Sequence, residues 1–181
     1  FKSIMKTQLE TGMPYIFFKD RANEVNHNSH MGMIGNGNLC MESFSNFKPT
    51  LNFEEEVDGN TAIRKSDMGE IHTCNLISLN LAELTSDEIE KHVALAIRAL
   101  DNTIDLTVTP LKESNKHNLL YRTVGVGAMG LADFLAREYM IYEDSINEIN
   151  ELFERIALYS VKSSALLGKQ RGAYKAFKGS K

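Results

Sequence analysis

The stretch from Thr73 to Leu100 constrains the fold more than any other part of this chain. Asn75-Leu76-Ile77-Ser78-Leu79-Asn80-Leu81 is a short apolar segment with the length of a strand. Thr85-Ser86-Asp87-Glu88 follows and fits a capping box, with Thr85 as N-cap and Glu88 three residues on. Behind it Ile89, Val93, Ala96, Ile97 and Leu100 recur at helical spacing and give one apolar face. A strand that runs straight into a capped amphipathic helix predicts an α/β fold.

The remaining segments extend that pattern. Phe1, Ile4, Met5 and Leu9 have the spacing of a helix, and Gly12 followed by Pro14 stops it. Tyr15-Ile16-Phe17-Phe18 suits a buried strand, and residues 19 to 37, rich in Asn, Gly, His and Ser, read as a long loop with little core of its own. Residues 39 to 44 are expected to be extended. The polar stretch from 45 to 70, with Glu54-Glu55-Glu56 and Asp58-Gly59, reads as a solvated excursion containing a turn. Tyr121 to Val126 is expected to be a strand and Leu131 to Ala136 a short helix. A longer helix is expected from Ser145 to Gly168, with Ile149, Leu152, Phe153, Ile156, Tyr159 and Val161 toward the core.

At 181 residues with 43% hydrophobic and 24% charged side chains, the chain is long enough for one domain with a buried core. Its net charge of −4 comes from interspersed acids and bases, which leaves no basic face for a nucleic-acid backbone. No apolar run approaches the roughly 20 residues that span a bilayer. A cytoplasmic compartment is therefore the expectation, with neither nucleic acid nor membrane as partner. The two cysteines lack a CxxC spacing, so thiol chemistry is the only role the sequence offers them beyond packing.

Asn38-Leu39-Cys40-Met41-Glu42 is the segment with chemistry in it. If extended, it would put Asn38, Cys40 and Glu42 on one face with Leu39 and Met41 packed behind. A thiol between an amide and a carboxylate suits a polyhydroxylated substrate. The amide can hydrogen-bond a hydroxyl, the carboxylate can take its proton, and the sulfur can work on the carbon between. The glycines from Gly32 to Gly37 would let backbone approach a ligand. The competing reading is a scaffold in which Cys40 is only a packed small hydrophobe.

Three motifs then occur in order: the Asn-x-Cys-x-Glu segment after a glycine-rich loop, Cys74-Asn75-Leu76-Ile77-Ser78-Leu79-Asn80-Leu81, and Arg122-Thr123-Val124-Gly125-Val126-Gly127-Ala128-Met129-Gly130-Leu131-Ala132-Asp133. Together they resemble the large, catalytic subunit of ribonucleotide reductases. Glu10 to Ile16 and Gly172 to Phe177 are similar to that family too, so the resemblance covers nearly the whole chain. It implies a segment of a ten-stranded α/β barrel with a cysteine loop through its centre, residues 1 to 181 being a single partial domain of a longer protein. It also implies that Cys40 becomes a thiyl radical that removes the 3′ hydrogen of a ribonucleotide. Glu42 would accept the 3′-hydroxyl proton and Asn38 would hydrogen-bond the sugar hydroxyls. Cys74 matches one of two cysteines that form a disulfide as the 2′-hydroxyl leaves, its partner lying outside this chain.

Leu39, where a proline precedes the cysteine in the cobalamin-dependent class, resembles the class that uses a separate subunit. The implied partners are a ribonucleoside diphosphate, a metal-containing small (beta) subunit that supplies the radical, thioredoxin or glutaredoxin as reductant, and a second large subunit. No cofactor is expected in this chain, and ATP or dNTP effectors are expected to bind elsewhere.

Gly125-Val126-Gly127-Ala128-Met129-Gly130 also fits a GxGxxG fingerprint, which would make the chain an NAD(P)- or FAD-dependent oxidoreductase. The second strand that fingerprint requires is missing, and Tyr142-Glu143-Asp144 does not end an apolar strand. The glycines are read instead as close strand-to-helix packing. His27, His30, His72, His92 and His117 are scattered and are expected to be solvated, without a metal.

Overall fold

The periodicity of residues 89 to 106 determines the better-packed part of this chain, described here in a computed structural model that covers residues 1 to 181. In chain order the helices are α1 (Lys2–Thr11), α2 (Lys19–Glu24), α3 (Ile89–Leu106), α4 (Lys112–Tyr121), α5 (Leu131–Arg137) and α6 (Ile146–Arg171). The strands are β1 (Leu51–Asp58), β2 (Thr61–Asp67), β3 (Leu76–Asn80) and β4 (Gly125–Met129). They form two two-stranded sheets, β1 with β2 and β3 with β4. No helix is long and apolar enough to cross a membrane.

The residues fall into two compact units. One holds 74–110 and 118–175; the other holds 1–73, 111–117 and 176–181. In the first, β3 and β4 pair in parallel, from Leu76 opposite Gly125 to Asn80 opposite Met129. Parallel neighbours need a long crossover, and α3 and α4 lie within it. The Glu88 carboxylate accepts from the Thr85 N–H at 3.2 Å and from its hydroxyl at 2.9 Å, starting α3 where the capping box predicts. Ile89, Val93, Ala96, Ile97 and Leu100 are all buried, as their spacing requires. The core joins several of them to Leu79, Leu81, Leu152, Ile156 and Leu167.

Arg122, which follows α4 with φ +48°, reaches two acids one turn apart on α3. Its guanidinium donates to Asp101 at 2.8 Å and to Asp105 at 2.7 Å, and Arg171 adds a second cation on Asp101. The glycines of β4 lie within the strand rather than in a turn after it, so no phosphate-cradling loop exists there. A Cβ on Gly125 would stand 2.6 Å from the Leu76 side chain. One on Gly130 (φ +75°) would stand 2.7 Å from Asn80 Oδ1. These glycines serve close packing, and the dinucleotide reading loses its structural context.

The second unit departs more from expectation. Residues 15 to 18 form no strand: Tyr15, Ile16 and Phe18 are exposed, and Phe17 stacks on Phe44 with centroids 5.0 Å apart. The loop after them contains α2 and a 3-10 turn at Ser29–Met31. The acidic excursion folds into an antiparallel ribbon, with Gly59 at φ +58° in its two-residue loop. Glu54 faces Lys65 and Glu55 faces Arg64, so bases on the partner strand balance the carboxylates. Both faces of β1 are exposed, as a solvated stretch should be.

Two further expectations need correction. Tyr121 ends α4 rather than starting a strand, because the polar spacing of residues 112 to 120 hides a helix without an apolar stripe. On α6, Leu152 and Ile156 are buried while Phe153 and Val161 are exposed. The buried stripe runs on to Ser163 and Leu167 instead.

Leu81 is 1% exposed within the core. Leu81→Ala is expected to cost about 3 kcal/mol of unfolding free energy, against under about 0.5 for Leu39→Ala at an 88% exposed position. Urea unfolding of the two variants checks this ranking, and equal losses would contradict the assignment of the core.

Candidate active site

Residues 37 to 44 form a tight hairpin-like turn, not the extended segment that simple alternation suggests. Gly37 and Phe44 bridge antiparallel at its base. The Asn38 N–H donates to the Ser43 carbonyl at 3.2 Å, and the Met41 N–H donates to the Asn38 carbonyl at 3.1 Å. Met41 takes φ +60°, the left-handed geometry that lets the chain reverse here. Gly37 is required: a Cβ there would lie 2.5 Å from the Phe44 ring. Gly37 thus serves a contact within the protein.

The side chain of Asn38 holds the turn closed. Its carbonyl oxygen accepts from the Glu42 N–H at 3.1 Å and the Ser43 N–H at 3.0 Å, while its amide donates to the Glu42 carboxylate. Asn38 and Glu42 are therefore in direct contact across the turn, with Cys40 at its exposed tip. Leu39 is 88% exposed and does not pack behind the thiol; Met41 is half-buried. Asn38 and Glu42 meet through a turn and an asparagine clasp rather than by strand alternation, with Cys40 between them in sequence.

Cys74 is also exposed and in no disulfide, and it precedes β3. Its neighbour Asn75 donates to Asn118 Oδ1 at 3.2 Å and to the Thr123 carbonyl at 3.1 Å, and its own carbonyl accepts from the Gly125 N–H at 2.9 Å. That fixes the backbone beside the sulfur. No cluster of three or more His, Cys, Asp or Glu side chains is placed to hold a metal ion.

Three residues beside the turn carry no spacing signal in the sequence. The Ser43 hydroxyl lies 2.7 Å from His72 Nε2, and His72 meets His117 edge-on with centroids 4.9 Å apart. His117 is fully buried, its Nε2 3.0 Å from both the Asn46 carbonyl and the Ser45 hydroxyl. A carbonyl only accepts, so Nε2 carries the proton. The expectation of solvated histidines fails for this pair because residues 43 to 46 need side-chain partners for their polar atoms. Only an element-level contact map would have joined residues 43, 72 and 117.

Burial, then the neighbouring His72, pushes the His117 pKa down to about 4, partly offset by the Asn46 carbonyl. Burial also lowers His72, against the pull of the Glu42 carboxylate. Both rings are neutral at neutral pH. A cavity of about 180 Å³ adjoins the turn, with Asn38, Ser45, Glu70 and His72 in its wall.

Two measurements test this geometry. Iodoacetamide is expected to modify Cys40 in the native chain; labelling that needs denaturant would restore the packed-cysteine reading. Because the folded His117 pKa lies below its unfolded value near 6.5, its contribution to stability is complete above 6.5 and declines as pH falls toward 4. The His117 ring signals in NMR should accordingly stay neutral down to about pH 5, and a midpoint near 6.5 would contradict its burial.

The family model for the ribonucleotide reductase barrel domain matches residues 1 to 181. A ribonucleoside-diphosphate reductase subunit alpha from Synechocystis sp. is 49% identical over 180 residues, covering 99% of this chain and 21% of that protein. The protein of the same name from Helicobacter pylori is 32% identical over 220 residues, covering 99% and 28%. The chain thus spans between a fifth and a third of these two relatives. Among solved structures, the class Id ribonucleotide reductase alpha subunit of Actinobacillus ureae superposes with a TM-score of 0.66 at 20% identity, over 97% of this chain and 32% of that one. That likeness supports a barrel-type fold.

Proposed function

We propose, from the premise that this chain belongs to the ribonucleotide reductase barrel-domain family, that it is the part of a large subunit that carries radical chemistry at Cys40. The observation that carries this reading is the turn itself. An exposed thiol stands at its tip, with the Asn38 amide and the Glu42 carboxylate clasped together two residues to either side.

The roles are those the family resemblance implies, and the side chains of this turn have the atoms to fill them. A thiyl radical on Cys40 would take the 3′ hydrogen of the ribose and become a thiol. Glu42 would accept the proton of the 3′-hydroxyl, its carboxylate oriented by Asn38. The Asn38 carbonyl oxygen already holds two backbone N–H groups, so toward a sugar hydroxyl this side chain acts through its amide as a donor. The 2′-hydroxyl would leave as water. Two cysteine thiols would supply two electrons and form a disulfide, Cys74 being one of them. The hydrogen then returns from Cys40 to C3′, which regenerates the radical.

The 181 residues would form one segment of a ten-stranded catalytic barrel in a cytoplasmic enzyme. The substrate is taken as a ribonucleoside diphosphate, from the names of the relatives. The radical would come from a metal-containing small subunit. The reductant would be thioredoxin or glutaredoxin, a second large subunit would complete the enzyme, and nucleotide effectors would bind outside this segment.

The test uses the full-length protein with its radical-generating subunit. Cys40→Ser is expected to abolish deoxyribonucleotide formation, by at least about 1,000-fold, while nucleotide binding persists. Turnover by that variant would remove Cys40 from the chemistry.

A further inference from the structure

The turn that carries Cys40 is poorly supported by packing. Its tip is exposed on Leu39 and Cys40, and a cavity adjoins Gly37 and Asn38. Its base is held by the Gly37 and Phe44 bridge and by the exchange of hydrogen bonds between Asn38 and Ser43. Ser43 is the joint between the two: its backbone closes the turn against Asn38, and its hydroxyl reaches His72 Nε2 at 2.7 Å.

His72 is held in its turn. Its ring packs edge-on against His117, which is fully buried and fixed to Ser45 and Asn46 just beyond the turn. The two imidazoles thus bracket residues 43 to 46 from Ser43 on one side and from Ser45 and Asn46 on the other. The charged and titratable groups facing His72 are the Glu42 carboxylate and His117, with Glu70 in the wall of the same cavity. Burial keeps both imidazoles uncharged, so the contact with Ser43 is a neutral hydrogen bond whose strength depends on geometry.

We propose that His72 is a positioning residue for the radical chemistry, fixing Ser43 and through it the Asn38 and Glu42 pair beside Cys40. It touches neither substrate nor reacting atoms. Its effect is to keep the Glu42 carboxylate where it can take the 3′-hydroxyl proton, and this rests on the roles proposed above for Cys40 and Glu42. A displacement of the order of 1 Å in such a group costs up to about 100-fold in rate.

The test is a mutant cycle in the full-length protein with its radical-generating subunit. Ser43→Ala and His72→Phe are each expected to lower kcat by roughly 10- to 100-fold with nucleotide KM changed less than about twofold. The double variant should be no slower than the worse single one, because both remove the same link. His72→Gln, which returns a donor and an acceptor near the Nε2 position, should recover most of the rate. Ser43→Ala removes only a hydroxyl and keeps the test open if His72→Phe misfolds. Cys40→Ser in the same assay separates the two ideas. If it is dead while Ser43→Ala and His72→Phe run at the wild-type rate, the positioning role is wrong and the radical reading stands. If Cys40→Ser itself turns over, the radical reading fails and the positioning role falls with it. Additive losses in the double variant, or equal changes in KM and kcat without rescue by glutamine, would reduce His72 to a structural residue.

Discussion

A backbone amide or carbonyl that leaves water must find a partner, and between residues 19 and 50 this chain has no regular strand to provide one. Asparagine does it instead. Asn23 both donates to the Ile34 carbonyl and accepts from its N–H, each at 2.9 Å, copying a pair of ladder bonds with one side chain. Asn46 donates to the Gly32 carbonyl at 2.6 Å, and Asn38 closes the turn around Cys40. The unit that holds the turn therefore buries Asn26, Ser45, Asn46, Glu70 and His117 with few apolar side chains such as Ile34. Polar interiors of this kind tolerate few arrangements, since each lost partner strands a buried group at about 1 to 3 kcal/mol.

The unit built on β3, β4, α3 and α6 follows the opposite rule. Its main core cluster is aliphatic, and the ion pairs of Arg122 with Asp101 and Asp105 tie the segment after α4 to α3. Hydrophobic burial there is spread over many residues and tolerates repacking better than a hydrogen-bonded core does. Reactive machinery on the first kind of support gains precision. A framework of the second kind gains stability.

That contrast also decides what could be read from the sequence. The α3 face from Ile89 to Leu100 and its Glu88 cap were legible because periodicity and capping are local signals, and α1 with its Gly12 stop was legible for the same reason. The closeness of Asn38 and Glu42 follows from their spacing, but the geometry assumed for their segment was not legible. Alternation presumes an extended backbone, whereas Met41 at φ +60° and the asparagine clasp make a turn. Tyr15 to Phe18 misled because an apolar run carries no record of whether a neighbouring strand exists to pair with it. His72 and His117 stayed hidden because their neighbours in space, Ser43 and Ser45, lie 29 and 72 positions away. Family resemblance supplied what periodicity lacked, since motif order does not depend on knowing the contacts.

The ribbon of β1 and β2 lies in sequence between Cys40 and Cys74, and its two ends are cinched where Lys48 and Glu70 exchange backbone hydrogen bonds at 2.8 and 3.3 Å. Gly69 fits under that cinch only because it has no side chain, its would-be Cβ falling on the Lys48 carbonyl. Beyond the cinch the chain is answerable mainly to water. Doubling the length of such a loop costs only about 0.6 kcal/mol in closure entropy. A change in the length of this ribbon therefore costs the fold little and leaves the bonds that close the turn at Cys40 untouched, which makes residues 51 to 67 the place where this unit best accepts an insertion.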